Sequence, residues 1–133
     1  MHKGQPKTAP GILRETMSPT PVKGLIDPSI LEQIDIRVGS IESVTAIEAS
    51  DKLVKMRVNF GDHARTIVAG LKLERLNPRE IEGRQALFVV NLAPRKMCGV
   101  ISEGMLFDIG YADGIAPVLA VPESPVPDGT RAG

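Results

Sequence analysis

Three features of this 133-residue chain predict an all-β fold. Val54, Met56, Val58 and Phe60 alternate with Lys55, Arg57 and Asn59, the period of a half-buried strand. Gly61-Asp62-His63 then supplies a turn, and Arg65–Leu71 a second apolar run, so the two pair as a hairpin. Thirteen glycines and eleven prolines favour many turns over a few long helices. The full order along the chain is three strands, one short helix and two strands. That is the order of a five-stranded Greek-key barrel of the oligonucleotide/oligosaccharide-binding type (OB-fold), with its one short helix between strands 3 and 4.

The elements follow in sequence. Residues 1–24 hold Pro6, Pro10, Pro19 and Pro21 with little apolar periodicity, and are expected to be a mobile tail. The domain, 25–133, begins near Leu25. Asp27 as N-cap and Pro28 at the first helical position start a short helical turn. Residues 34–41 read as the first strand, with a bend or bulge placed at Gly39, where the alternation slips. Asn77-Pro78-Arg79-Glu80 has the form of a capping box, Glu80 reaching back to Asn77, and Gly83 ends the helix. Arg84–Leu92 is the fourth strand, its run Ala86–Val90 apolar enough to be covered on both faces. Residues 93–99 are read as a loop, and Val100–Ile109 as a fifth strand kinked at Gly104. Pro117–Val121 and Pro125–Gly129 are short edge pieces and turns.

Composition excludes several functions. Cys98 is the only cysteine, so no intrachain disulfide exists, and with only His2 and His63 no Cys/His zinc cluster can form. There is no GxxxxGK[ST] or GxGxxG phosphate loop, and no cofactor or metal is expected. Glu103 and Asp108 are carboxylates without a base–nucleophile constellation, so the chain is not read as an enzyme. No stretch approaches 18 consecutive apolar residues and the N-terminus has no hydrophobic signal core, which makes the expectation a soluble, cytoplasmic protein without a membrane partner.

Formal charge is zero, but unevenly spread. Residues 51–100 carry ten basic against five acidic groups, whereas 101–133 carry only Arg131 against five acids. A basic central segment can form one positive face, as a phosphate backbone requires. Phe60 and Phe88 continue apolar strand patterns and are assigned to the core, which leaves Phe107 and Tyr111 as the aromatics available for stacking.

An ordered set of motifs goes further: Asp35-Ile36-Arg37-Val38-Gly39, Asp51-Lys52-Leu53, Arg65–Leu71, Asn91-Leu92-Ala93-Pro94-Arg95-Lys96 with Gly99, Ser102-Glu103-Gly104-Met105-Leu106, and the closing Pro127-Asp128-Gly129-Thr130. In these the chain resembles the tRNA-binding domain family, found fused to methionyl- and phenylalanyl-tRNA synthetases and as a small free-standing protein. The resemblance implies a barrel that recognises tRNA by shape and backbone without catalysis, as a homodimer, with an aminoacyl-tRNA synthetase as a possible partner. It assigns phosphate contacts to Arg95 and Lys96, one offering a bidentate fork and the other a point charge. Asn91 either satisfies loop backbone groups or presents donors to RNA. Ser102 is a hydrogen-bonding candidate, and Met105 an RNA contact or a flexible core filler. Lys52 and Arg65 are outer contacts or simply solvated strand positions, while Asp35 and Arg37 are expected to pair structurally. The chain departs from the family at Ile47-Glu48, where members often carry His-Pro. The alternative is a peptide-binding chaperone linked to protein export, a role attached to a near relative of the same barrel, with Met97, Met105 and Phe107 as adaptable contacts. The third strand, Ile67–Leu71, resembles the tRNA-binding branch.

Overall fold

The structure, a computed structural model, describes residues 20–133. Most of the expected tail, residues 1–19, therefore lies outside the described residues, and 20–24 are exposed without helix or strand. A single α-helical turn, α1 (Pro28–Glu32), opens the domain, its N-terminus held by the Asp27 carboxylate accepting from the Ser29 N–H at 2.9 Å. Ten strands follow: β1 (Ile36–Ala46), β2 (Val54–Asn59), β3 (Ala64–Ala69), β4 (Gln85–Val89), β5 (Arg95–Met97), β6 (Val100–Ser102), β7 (Met105–Leu106), β8 (Asp108–Ile109), β9 (Val118–Leu119) and β10 (Arg131–Ala132).

The main sheet is antiparallel, in the order β3-β2-β1-β4-β7, with β10 also on β1. β1 is long because it serves two neighbours: residues 36–40 pair with β4 and residues 40–46 with β2. To do both it must bend, and the sheet curls into a half-barrel around Ile41, Met56, Val58, Ile67, Ile81 and Phe88, all fully buried. Phe60 meets Phe88 edge to face, ring centres 5.6 Å apart, so both aromatics assigned to the core are in it. The curl closes where β3 returns to residues 102–104. Glu103 N–H donates to Thr66 O at 2.8 Å, and the Glu103 carboxylate accepts from Thr66 N–H at 2.9 Å.

Local geometry corrects five expectations. The bulge lies between Ile41 and Ser43, not at Gly39. Gly39 is required for a different reason: a Cβ there would sit 2.5 Å from Val58 Cγ1 and 2.8 Å from the Phe60 ring, so the strands approach over bare backbone. The helix expected between strands 3 and 4 is a 3₁₀ turn, Pro78–Ile81, preceded by another at Leu71–Leu73. Its expected capping box does not form, because Glu80 turns to Arg75 (2.6 Å) instead of back to Asn77. Glu82, just beyond, fills the β1 bulge by accepting from Val44 N–H at 2.8 Å, while Gly83 N–H donates to Ile41 O at 2.7 Å. Residues 93–99 are not simply a loop: Arg95–Met97 pairs with Val100–Ser102. The fifth strand is three short ones, β6, β7 and β8, the first break falling at Glu103-Gly104.

Candidate nucleic-acid interface

Register builds the site. Across β1, β2 and β3, Ser43, Arg57 and Thr66 stand side by side, and Thr45, Lys55 and Val68 form the next row. Residues two apart share a face, so all six project from the outer side of the sheet, opposite the buried Val44, Met56 and Ile67. Lys55 and Arg57 are exposed. Sequence reasoning placed them outward but did not select them as site residues. The signal was the β2 alternation itself, which becomes informative only when the hydroxyl-bearing neighbours on β1 and β3 are aligned with it.

The β5–β6 hairpin folds over the edge of this face. Its two-residue turn has positive φ at both positions, Cys98 (47°) and Gly99 (81°), which suits the twist of a tight hairpin. Met97 and Val100 pack on Ile47, Leu53 and Val68, fixing the hairpin to the sheet. Buried Ser102 secures its base, its hydroxyl accepting from Val68 N–H and donating to Gly104 O, both at 3.0 Å. Between hairpin and sheet runs a groove of about 540 Å³ lined by Ser43, Thr45, Lys55, Arg57, Thr66 and Ile101, among others, with no carboxylate among the described residues of its wall.

The residues singled out from sequence divide into two groups. Arg95 and Lys96 are exposed on β5. As consecutive strand residues they project to opposite faces of the ribbon, Arg95 on the side of Met97 and Lys96 beside Ile101. Lys52 is exposed and Met105 is 47% exposed. The other three are engaged within the chain. Arg65 Nη1 donates to Val90 O (2.7 Å) and Glu103 O (3.0 Å), its Nε donates to His63 Nε2 (3.0 Å), and its guanidinium lies 5.9 Å from the Phe60 ring centre. Asn91 accepts from Asp35 N–H at 2.9 Å and donates to Gln33 O at 2.7 Å, so its amide satisfies loop backbone groups. Ser102 is spent as described. Asp35 and Arg37 form the expected pair, bidentate at 3.0 and 3.1 Å, and the guanidinium holds the Asp35 carboxyl below the usual range.

A second groove, of about 520 Å³, includes Met97, Met105, Phe107 and Tyr111 in its lining, so the sheet edge and hairpin gather the methionines and the two non-core aromatics together. Its charged lining residues are Lys52, Glu74, Asp108 and Asp113. Burial pushes the Glu74 carboxyl up, and the nearby Asp108 charge adds to the shift; burial likewise raises Asp108. Among the described residues no ion pair engages either acid, and Asp113 accepts from the Thr20 hydroxyl at 2.7 Å.

The methionine–tRNA ligase of Methanocaldococcus jannaschii is 41% identical over 96 residues, 72% of this chain and 15% of that protein. The chain thus spans only about a sixth of the length of the methionine–tRNA ligases it matches. A methionyl-tRNA-synthetase-related protein from Pyrococcus horikoshii superposes with a TM-score of 0.76 at 36% identity, covering 84% of this chain and all of that one. The chaperone CsaA of Bacillus anthracis shares the fold, with a TM-score of 0.71 at 22% identity over 83% of this chain and all of that one. The family model for the tRNA binding domain matches residues 36–131, from the first residue of β1 to the first of β10, and the chain belongs to that family.

Proposed function

We propose that this chain is a non-catalytic, structure-specific tRNA-binding protein that recognises tRNA by shape and backbone and assists an aminoacyl-tRNA synthetase in the cytoplasm. The observation that carries the reading is the carboxylate-free groove in which Lys55 and Arg57 alternate with the hydroxyls of Ser43, Thr45 and Thr66. Cations neutralise phosphates, and hydroxyls exchange hydrogen bonds with ribose 2′-OH groups and phosphate oxygens, a combination that reads an RNA surface without reading its bases. Arg95 and Lys96 extend the positive surface onto the hairpin, and Lys52 adds an exposed cation in the neighbouring groove. Asn91, Arg65 and Ser102 act as positioning residues: they fix the strand ends and the hairpin base that hold the contact residues in place. The synthetase partner is inferred from the relatives, methionine–tRNA ligases of which this domain is a small part.

The working form is a homodimer. No residue of α1 is buried, and Ile26, Ile30, Leu31 and Ile34 stand exposed beside a groove of about 630 Å³ lined by Leu31, Ile34, Ile36 and Ala132. A contiguous apolar surface of this kind is stabilised by a second copy. Ile30→Asp is expected to convert the dimer to monomer in sedimentation velocity; an unchanged sedimentation coefficient removes α1 from the interface.

The functional test is fluorescence anisotropy of labelled tRNA at several salt concentrations. Salt-steep binding is expected, and Lys55→Ala with Arg57→Ala should weaken it about tenfold or more and flatten the log–log salt slope by about one to two, since each lost phosphate contact removes about 0.7–0.9 from the slope. Affinity and slope both unchanged in the double variant would overturn this face as the interface.

A further inference from the structure

RNA carries its charge on the phosphates and none on its bases, and the 520 Å³ groove is suited only to the second. Glu74, Asp108 and Asp113 line it against one lysine, Lys52, so it repels a backbone. Its other wall holds Phe107 and Tyr111, 43% and 72% exposed, and neither ring pairs with another aromatic among the described residues. Met97 and Met105 complete that wall with polarizable, adaptable surface. Asp113 accepts from the Thr20 hydroxyl, whereas no ion pair engages Glu74 or Asp108 among the described residues. The nearby cations are committed elsewhere: Arg75 is paired with Glu80 at 2.6 Å, and Lys72 Nζ donates to Ile47 O and Ser50 O. The groove thus joins two open aromatic rings to two unengaged acceptor groups, which is what a flat ring with N–H groups along its edge requires.

We propose that this groove is a nucleobase subsite for an unpaired guanosine of a bound RNA, its base stacked on Phe107 and Tyr111 and its Watson–Crick edge on Glu74 and Asp108. The subsite rests on the reading of RNA as the ligand, and adds a base contact to a polar face that makes none. Edge chemistry selects the base. Guanine donates from N1–H and its N2 amino group side by side, and ionised carboxylates only accept. Adenine and cytosine set a ring-nitrogen lone pair beside the amino group, and uracil flanks its one N–H with carbonyls, so each faces a carboxylate with acceptors. Burial hinders the ionisation of both acids, and N–H donors favour the ionised forms, so guanine relieves a cost already present. Continuity selects RNA over a free nucleotide. The groove meets the polar face at β3, through Val68 and Thr66, and at the hairpin, where Met97 pairs with Val100. Exposed Lys52 is then available to the phosphate next to the base. A volume of about 520 Å³ lies within the range of small-ligand sites.

The test is an anisotropy titration of the intact protein with labelled hexauridylate, against the same oligonucleotide with one internal guanosine. The guanosine oligonucleotide is expected to bind about tenfold or more tightly, the size of one bidentate base contact. Its base should also shift the Met97 and Met105 methyl resonances by ring current, further than hexauridylate does. Glu74→Gln with Asp108→Asn should reduce the preference to about twofold or less. An unchanged affinity of that variant for hexauridylate shows that it folds. Equal binding of the two oligonucleotides by the wild-type protein, or failure to bind either, overturns the proposal and needs no variant. Guanosine 5′-monophosphate competing as strongly, mole for mole, as the oligonucleotide overturns the RNA source and assigns the groove to a free nucleotide. Absence of the guanosine preference with tRNA binding intact removes this subsite alone. Absence of both oligonucleotide and tRNA binding removes the reading on which it rests.

Discussion

The two grooves flanking the β5–β6 hairpin meet at β3 and at the hairpin itself, and have opposite chemistry. One presents Lys55, Arg57 and three hydroxyls with no acid; the other presents an apolar wall with three acids and one lysine. The contrast arises because the two share no lining residue: the first is walled by β1, β2 and Thr66 with residues 99–101 of the hairpin, the second by Val68 and Ala69, Met97 and the acidic stretch that follows Met105. A chain with zero formal charge can therefore offer separate surfaces of opposite sign. Such separation has more bearing on what binds where than the net value does.

The largest way to disturb that contrast is at the wall between the grooves. Ser102→Ala removes a buried hydroxyl that bridges Val68 N–H and Gly104 O, leaving both without that partner. A cost of about 1–3 kcal/mol is expected in urea unfolding, the range for a buried group losing its hydrogen bond. Because the hairpin base loosens, tRNA binding should weaken with it. A variant as stable as wild type would show that the packing of Met97 and Val100 alone holds the hairpin.

Smaller effects separate the two sides by pH. Glu82, which supports the β1 bulge beneath the polar face, has its carboxyl lowered from 4.5, first by the Val44 N–H bond. A carboxyl with a depressed folded-state pKa contributes stability above its unfolded value and loses it as pH falls through the folded one. Glu74 is raised from 4.5, first by burial, so its ionisation opposes folding above that value and has no effect once it is protonated in both states. Glu82→Gln should accordingly lower the thermal midpoint at pH 7 and Glu74→Gln raise it, both differences shrinking as the pH is taken below 4. Shifts of the same sign in the two variants would contradict these environments.

What the sequence revealed, and what it hid, follows from how far each feature depends on distant residues. β2 was legible because a half-buried strand prints its period directly in Val54, Met56 and Val58. Asp27 before Pro28 marked a helix start whose cap is wholly local. The bulge was misplaced because Gly39 looks like a flexible point, whereas its true constraint is the approach of Val58 and Phe60 from another strand. The capping box failed because Glu80 found Arg75, a partner outside the motif's frame. Residues 95–97 read as a loop because adjacent cations mask a three-residue strand, and the turn that closes it uses cysteine where asparagine or aspartate is usual. Asn91 and Ser102 illustrate the remaining difficulty: a polar side chain at a strand end reads equally as a ligand donor or as a backbone partner, and only the fold reveals that Asp35, Gln33, Val68 and Gly104 are its partners.

The hairpin turn also gives the molecule a natural attachment point. Cys98 is the only thiol in the chain, it is exposed, and it stands at the tip of the ribbon that separates the two grooves, next to Gly99 in the wall of the polar one. A maleimide fluorophore will therefore label the native sequence at one defined place. Its emission can follow an arriving ligand on either side in real time, with no cysteine engineered in and none to remove.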